Sequence, residues 1–413
     1  MSSIHIVGIG MTRLGKFPER SVKDMTRECV SQALADAGCD VAAIDAAWFS
    51  NTRQPLMEGQ NVVRGQIALA DAGVTGIPIV NVENACASAS TALREAYAHL
   101  RAGMARVALV VGVDKMFFPD NPDAMFRCFL GGTDIHALED TKARIAEVGR
   151  GIGPQSEQAE AIGLRSFFMD IYAAFARQHM RLFGTTQRQL AIAAAKNHHH
   201  STMNPLSQFQ KDMTTDEVLR DKPVQWPLTR SMCAPISDGA AAVVLCTDSA
   251  LWRFDRRRSV EILAISLVSA LPHAPDDYEQ HVGRRAALAA YHEAGIGPDD
   301  VGLAEVHDAC SFAEILQIEN LGFCARGHGG EMTESGATRL GGSLPVNPSG
   351  GLVSKGHPVG ATGLIQIHEL VTQLRGEAGR RQVENVRIAV AENGGGFLGV
   401  EEAATTVSVL RRG

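Results

Sequence analysis

The chain has no Cys-x-x-Cys pair, and its eight cysteines (29, 39, 86, 128, 233, 246, 310 and 324) show no framework spacing. That argues against a disulfide scaffold and for reduced thiols in a cytoplasmic setting. No stretch approaches the roughly 20 apolar residues of a membrane-spanning helix. The N-terminus has neither a charged n-region nor a long apolar core, so no signal peptide is expected. Positive charge has no excess either. Lys and Arg total 39 against 46 Asp and Glu, a net charge of −7. This gives no support to binding of nucleic acid or of an anionic membrane. No His/Cys/carboxylate spacing suits zinc. Adjacent histidines such as His198-His199-His200 point in different directions on a helix, so no metal is expected there. Asn347-Pro-Ser349 carries Pro where a glycosylation signal forbids it.

What is present is an internal repeat. Cys86-Ala-Ser-Ala-Ser-Thr-Ala-Leu93 aligns with His357-Pro-Val-Gly-Ala-Thr-Gly-Leu364, placing Cys86 under His357 and Thr91 under Thr362. A second register matches Ala37-Gly38 and the stretch 44–51 with Ala294-Gly295 and 301–308, without a gap. The first strands, 4–10 and 260–266, correspond as well. Three matches in the same order mark a duplication. If the halves pack about a pseudo-two-fold axis, two helix N-termini converge on one site, one bearing a thiol and the other an imidazole.

Alternating strands and helices predict an α/β layered fold. Strands are expected at 4–9, 45–50, 77–83, 105–112 and 237–246. In the second half they are expected near 260–266, 302–306, 386–391 and 396–409. Helices are expected at 21–37 (capped by Ser21 and closed by Gly38), 60–72 and 87–102. The first half spans 1–255 and the second 256–413. Residues 115–225 break the rhythm and read as an inserted loop or lid domain, with helices near 164–183 and 187–199.

Cys86 sits between a strand and the first turn of a helix, where amides and the helix dipole lower a thiol pKa. His357 lies in a tightly specified Gly/Pro loop and can take the thiol proton. His307-Asp308 ends an apolar strand, the place where α/β sheets bind ligands. Glu392-Asn-Gly394-Gly-Gly396 ends another, and the amide of Gly394 is expected to form an oxyanion hole with that of Cys86.

These residues resemble the thiolase superfamily over nearly the whole chain. Gly356-His-Pro-Val-Gly-Ala-Thr-Gly363 is similar to its GHPxGATG motif, Asn84-Ala-Cys86-Ala-Ser to its nucleophile segment, and Ser237-Asp-Gly-Ala-Ala to its SDGAAA turn. The resemblance implies duplicated βαβαβαββ halves, a five-layered α/β/α/β/α core, an inserted loop domain, and a homodimer or dimer of dimers. His307-Asp308-Ala309-Cys310 is similar to the His-Asp-Cys-Phe motif of the sterol-carrier-protein type, but its cysteine is one residue late. The family's second loop cysteine is replaced by Glu392. Cys310 or Glu392 is therefore the candidate for the second acid/base.

By this resemblance the chain is an acyl-CoA C-acyltransferase that forms or cleaves a 3-ketoacyl thioester through acyl-Cys86. His357 and His307 would assist, with CoA as substrate and no cofactor. Ser354, Gly356, Phe167 and Tyr172 are expected substrate contacts. Alternatives are acyl transfer to a non-CoA acceptor, a decarboxylative condensation like that of ketosynthases, and a non-catalytic CoA-binding or scaffold subunit. A small OB-fold/zinc-ribbon partner is a further expectation. Retro-aldolase relatives generally lack the cysteine, so Cys86 counts against that branch.

Overall fold

Apolar runs buried on both faces make the central strands of this protein, as the continuous Val/Ala/Leu stretches require. A computed structural model describes residues 3–153 and 165–413. Its strands are β1 (Ile4–Met11), β2 (Ala46–Ser50), β3 (Ile79–Val82), β4 (Val107–Asp114), β5 (Pro223–Gln225), β6 (Leu228–Thr229), β7 (Gly239–Thr247), β8 (Val260–Ser269), β9 (Leu303–Glu305), β10 (Ile388–Gly395) and β11 (Ala404–Arg412). One sheet holds β3-β2-β4-β7-β1-β8-β11-β10-β9 in that order, and β5-β6 is a separate hairpin.

The sheet order shows the duplication. Outward from the middle, the first half reads β1-β7-β4-β2-β3 and the second β8-β11-β10-β9. An isolated parallel bridge, Ala304 to Val346, stands where the second half's fifth strand belongs. The pairing senses agree: two antiparallel contacts next to the middle, then parallel ones outward. The halves join edge to edge where Ile4, His5 and Ile6 pair with Ile262, Glu261 and Val260.

Three apolar clusters show the layers. Helices Val22–Ala37 and Arg64–Asp71 cover the outer face of the first half-sheet through Met25, Ala33 and Leu69. Helices Val282–Ala294 and Ser311–Asn320 cover the second through Ala286, Ala290 and Ile318. Between the half-sheets lie helices Ser88–Arg101 and Thr362–Arg375, sharing one core with strands of both halves. The result is α/β/α/β/α. The Ser21 capping box with Asp24 and the left-handed Gly38 delimit the first helix as expected. The expected strand 396–409 starts eight residues later instead. β10 extends through Gly395 and β11 begins only at Ala404.

The two central helices touch at small residues. A Cβ on Gly363 would lie 2.5 Å from the Ser90 amide nitrogen. Gly363→Ala should therefore destabilise the protein by about 1–3 kcal/mol through overpacking, read as a lower urea midpoint.

Between β4 and β7 the described residues include helices Phe167–Phe183 and Gln187–Ser201. The start of the expected helix 164–183 lies outside the described residues. Tyr172, Ala176, Leu190 and Ala194 pack against Ala309, Phe312 and Ala313 of the second half. The insert of the first half is thus seated against the second half. No helix among the described residues is long and apolar enough to cross a membrane.

Candidate active site

Cys86 stands on a strained elbow. β3 leads through Asn84 into Ala85, whose φ of 48° is left-handed, and then into a single 3-10 turn before helix Ser88–Arg101. Such a conformation costs a non-glycine residue about 1–2 kcal/mol. Local bonds hold it. The Ala85 amide donates to Glu83 Oε1 (2.6 Å), the Asn84 amide donates to Ser88 Oγ (2.8 Å), and Ser88 Oγ donates to the Ala85 carbonyl (2.6 Å). The end of β10 presses on this elbow. A Cβ on Gly395 would lie 2.3 Å from the Asn84 carbonyl oxygen, so only glycine fits. Gly396, at φ 66°, then turns its amide onto the Cys86 sulfur.

His357 comes from the matching place in the second half. Ser237 Oγ accepts its backbone N–H at 3.0 Å. Its Nδ1 lies 2.7 Å from Thr362 Oγ1, and that hydroxyl donates its one proton to the Pro358 carbonyl at 3.0 Å. Thr362 must therefore accept, which puts the imidazole proton on Nδ1 and leaves Nε2 as the free base. Asp114 fixes the rest of the loop. Its buried carboxylate accepts from the amides of Gly360 (2.6 Å), Arg53 (2.9 Å) and Thr52 (3.1 Å) and from Asn51 Nδ2 (3.0 Å).

His307 follows β9. Its ring centroid is 5.2 Å from that of His357, and neither ring nitrogen has a hydrogen-bond partner. The functional atoms of Cys86, His307 and His357 all lie within 4.8 Å of one another. They are also the one such donor set among the described residues able to hold a metal ion. The asymmetric protonation of His357 equally suits a proton-transfer pair with the thiol.

Burial sets the resting charges. It pushes the Cys86 thiol up to about 12, opposed by the Arg53 charge and the Gly396 amide. Burial, then the neighbouring His307, holds His357 well below the usual histidine value. Burial lowers His307 to about 4. Burial thus favours thiol and imidazole over thiolate and imidazolium in this pair. The sequence expectation is that amides and the helix dipole lower the thiol pKa; the opposite direction holds, because desolvation outweighs them.

The three residues form the floor of a cavity of about 1650 Å³. Phe126, Phe129, Phe168, Met169 and Tyr172 line it, and Arg13, Lys16, Arg64, Arg127, Arg220 and Lys222 also face it. Its lining includes ten Lys or Arg and three Asp or Glu, against the sign of the whole chain.

Two families match: Thiolase, N-terminal domain, over residues 4–249, and Thiolase C-terminal domain-like, over residues 269–411. The acetyl-CoA acetyltransferase of Methanothermobacter thermautotrophicus is 38% identical over 96% of this chain and 97% of its own length. The chain belongs to the thiolase family. Sterol carrier protein 2 of Oryctolagus cuniculus is 36% identical over 94% of this chain and 69% of its own length. Two solved structures share the fold. The Ltp2-ChsH2(DUF35) aldolase has a TM-score of 0.77 at 21% identity, covering 98% of this chain and 97% of that one. Human mitochondrial 3-ketoacyl-CoA thiolase in complex with CoA has a TM-score of 0.70 at 15% identity, covering 100% and 98%. This thiolase is an acyltransferase.

Of the residues singled out in the sequence, the structure brings Cys86, His307, His357 and Tyr172 to one cavity. It does not bring Gly394, Cys310, Glu392, Ser354, Gly356 or Phe167 to the cavity wall. Gly394 lies inside the β10–β11 ladder opposite Thr405, so the amide that faces the sulfur belongs to Gly396, two residues on. Cys310 is buried with its thiol pushed up to about 12, and its backbone bridges that of Cys233. Glu392 is buried behind His307, where Oε2 accepts the His307 backbone N–H (3.0 Å) and Oε1 has no partner. Neither lies on the cavity wall.

Ser354 is buried against Ser201 Oγ (2.6 Å) and His198 Nδ1 (3.0 Å) instead of facing substrate. Gly356, at φ 122°, allows the loop to pass Ser237 and Leu14. Phe167 and Phe168 both pack on the cluster of Ile145, Ile171, Ala174 and Phe397, and Phe168 also reaches the cavity. The three adjacent histidines diverge: His198 also bonds the Ser231 carbonyl, His199 pairs with Asp212, and His200 bonds the Asn347 carbonyl. Sequence reasoning does not single out Arg53. It follows β2, and its guanidinium lies over the Phe129 ring at 4.5 Å, stacked in the same wall. Its place after an apolar strand is the available signal.

Proposed function

We propose that this thiolase forms or cleaves a 3-ketoacyl-CoA through an acyl-cysteine on Cys86. One observation carries the reading: a thiol and two imidazoles within 4.8 Å of one another, lining a cavity rich in positive charge. Cys86 attacks the acyl carbonyl while its proton passes to His357 Nε2. The amides of Cys86 and Gly396 hold the oxyanion. His307, neutral with one N–H and one lone pair, hydrogen-bonds the thioester oxygen of the second substrate together with His357. The cationic residues of the cavity suit the phosphates of CoA, and acetyl-CoA is the donor suggested by the names of the relatives. The reaction takes CoA thioester as substrate and needs no cofactor.

A decarboxylative condensation is the second reading. It is favoured by Cys310 and Glu392 lying off the cavity, because loss of CO2 makes a carbanion without a base. A purely binding subunit is disfavoured by the intact Cys86–His357 geometry.

The exposed edge strand β3, with Val80 outward and Leu56, Val62 and Val63 also exposed, suits pairing between two copies of this chain. The Ltp2-ChsH2(DUF35) aldolase motivates including a small OB-fold/zinc-ribbon partner in this reading.

Intact-protein mass spectrometry after incubation with a panel of acyl-CoAs tests the core of the proposal. The expected result is one acyl increment, mapped to the peptide that carries Cys86. No increment from any acyl-CoA, with the thiol still alkylatable, would overturn the reading.

A further inference from the structure

Breaking the C2–C3 bond of a 3-ketoacyl thioester leaves an enolate whose carbon must receive a proton. His357 is engaged with the sulfur proton, and the free group must face the cavity. Cys310 and Glu392 do not. Tyr172 does. It is 8% exposed, and no hydrogen bond of its hydroxyl is found among the described residues. Helix Phe167–Phe183 fixes its position. One turn earlier, Phe168 meets Gly132, where an added Cβ would lie 3.0 Å from the ring. The Gly132 carbonyl accepts the Phe397 N–H at 2.8 Å, next to the Gly396 that faces the Cys86 sulfur. The helix's other contacts include Ala309 and Phe312.

We propose that the Tyr172 hydroxyl is the second acid/base of this site, the proton donor and acceptor for C2 of the acyl-CoA that leaves or enters. The proposal rests on the acyl-Cys86 reading. In cleavage, the Cys86 thiolate adds to the 3-keto carbon, the C2–C3 bond breaks, and its electron pair becomes the enolate at C2. Tyr172 O–H protonates C2, and that acyl-CoA departs. Incoming CoA–SH returns a proton to the phenolate while its sulfur displaces Cys86 from the acyl group, and the departing thiolate recovers its proton from His357. Condensation runs the same steps in reverse. Burial first, then the nearby Glu402, Cys310, Cys86 and Glu392, keeps this phenol protonated at rest, as a donor must be.

Tyr172→Phe removes only the hydroxyl. Wild type and variant are incubated with acetyl-CoA in D2O, reading deuterium at C2 of the ester and the acyl increment on the intact chain in the same sample. The expected result is that Tyr172→Phe still loads acyl on Cys86 but loses C2 exchange by about 100-fold. Exchange retained by the variant, or loading lost together with exchange, would overturn the assignment. Wild type that loads without exchanging overturns it too and favours the decarboxylative reading. Wild type that fails to load overturns the acyl-cysteine reading itself.

Discussion

Cys86→Ala, His357→Ala and the double variant are expected to lose acyl transfer to nearly the same low level, at least about 10⁴-fold below wild type. The reason is the resting charge state. A thiol pushed up to about 12 is inert at neutral pH unless its proton leaves as attack begins. Of the two imidazoles within reach, His357 is the one fixed as a base at Nε2, by the chain from Nδ1 to Thr362 to the Pro358 carbonyl. Residues that act as one unit give grossly non-additive losses. Independent roles would make the double variant's loss the product of the single ones. Steady-state rates of the three variants decide it. Thr362→Val should weaken the same step less, because the imidazole remains but its proton loses its acceptor.

Lys355→Met is expected to cost about 3–5 kcal/mol of folding stability. Lys355 is buried and donates from Nζ to Glu305 Oε2 (3.0 Å) and Ser349 Oγ (2.7 Å). Ser349 in turn donates to Glu305 through its hydroxyl (2.7 Å) and amide (3.2 Å). Removing the cation leaves a carboxylate buried with no opposite charge. Burial already raises the Glu305 pKa with Lys355 in place, and without it the rise is larger. A carboxyl whose folded pKa exceeds its unfolded one loses stability as pH rises between the two values. The deficit of Lys355→Met should therefore be greater at pH 8 than at pH 5.5. Glu305→Gln added to it should recover part of the loss. Urea midpoints of the two variants at both pH values measure this. Activity should fall as well, because each member of the pair stands two residues before an active-site histidine, Glu305 before His307 and Lys355 before His357.

The repeat makes the pairing of Cys86 with His357 legible in the sequence, because equal positions in duplicated halves become equal positions about an axis. Short-range chemistry is legible too, as in the Ser21–Asp24 cap and the apolar runs of β1, β4 and β7. What sequence hides is where a side chain or amide points. Three glycines in a row do not say where pairing stops, and only the β11 partner shows that β10 extends through Gly395. Phe167 and Phe168 are neighbours in sequence and share one apolar cluster, yet only Phe168 also lines the cavity. A single-residue offset puts Cys310 against Cys233 and away from substrate. Motif neighbours such as Ser354 bind the scaffold and not the ligand. The thiol's charge state is hidden for a related reason. The dipole of a helix terminus is local and legible, whereas the desolvation that overrides it depends on everything packed around the sulfur.

The shared central layer also bears on how the protein comes into being. Helix Ser88–Arg101 leaves the ribosome early, yet the helix that covers its Ala89 and Leu93 begins only at Thr362. At about 5–20 residues per second, the roughly 260 residues between them take about 13–50 seconds to synthesise. Throughout that interval the first half carries an apolar face awaiting a partner on the same chain. The nascent protein thus passes through an aggregation-exposed stage, and the nucleophile acquires its base only near the end of translation.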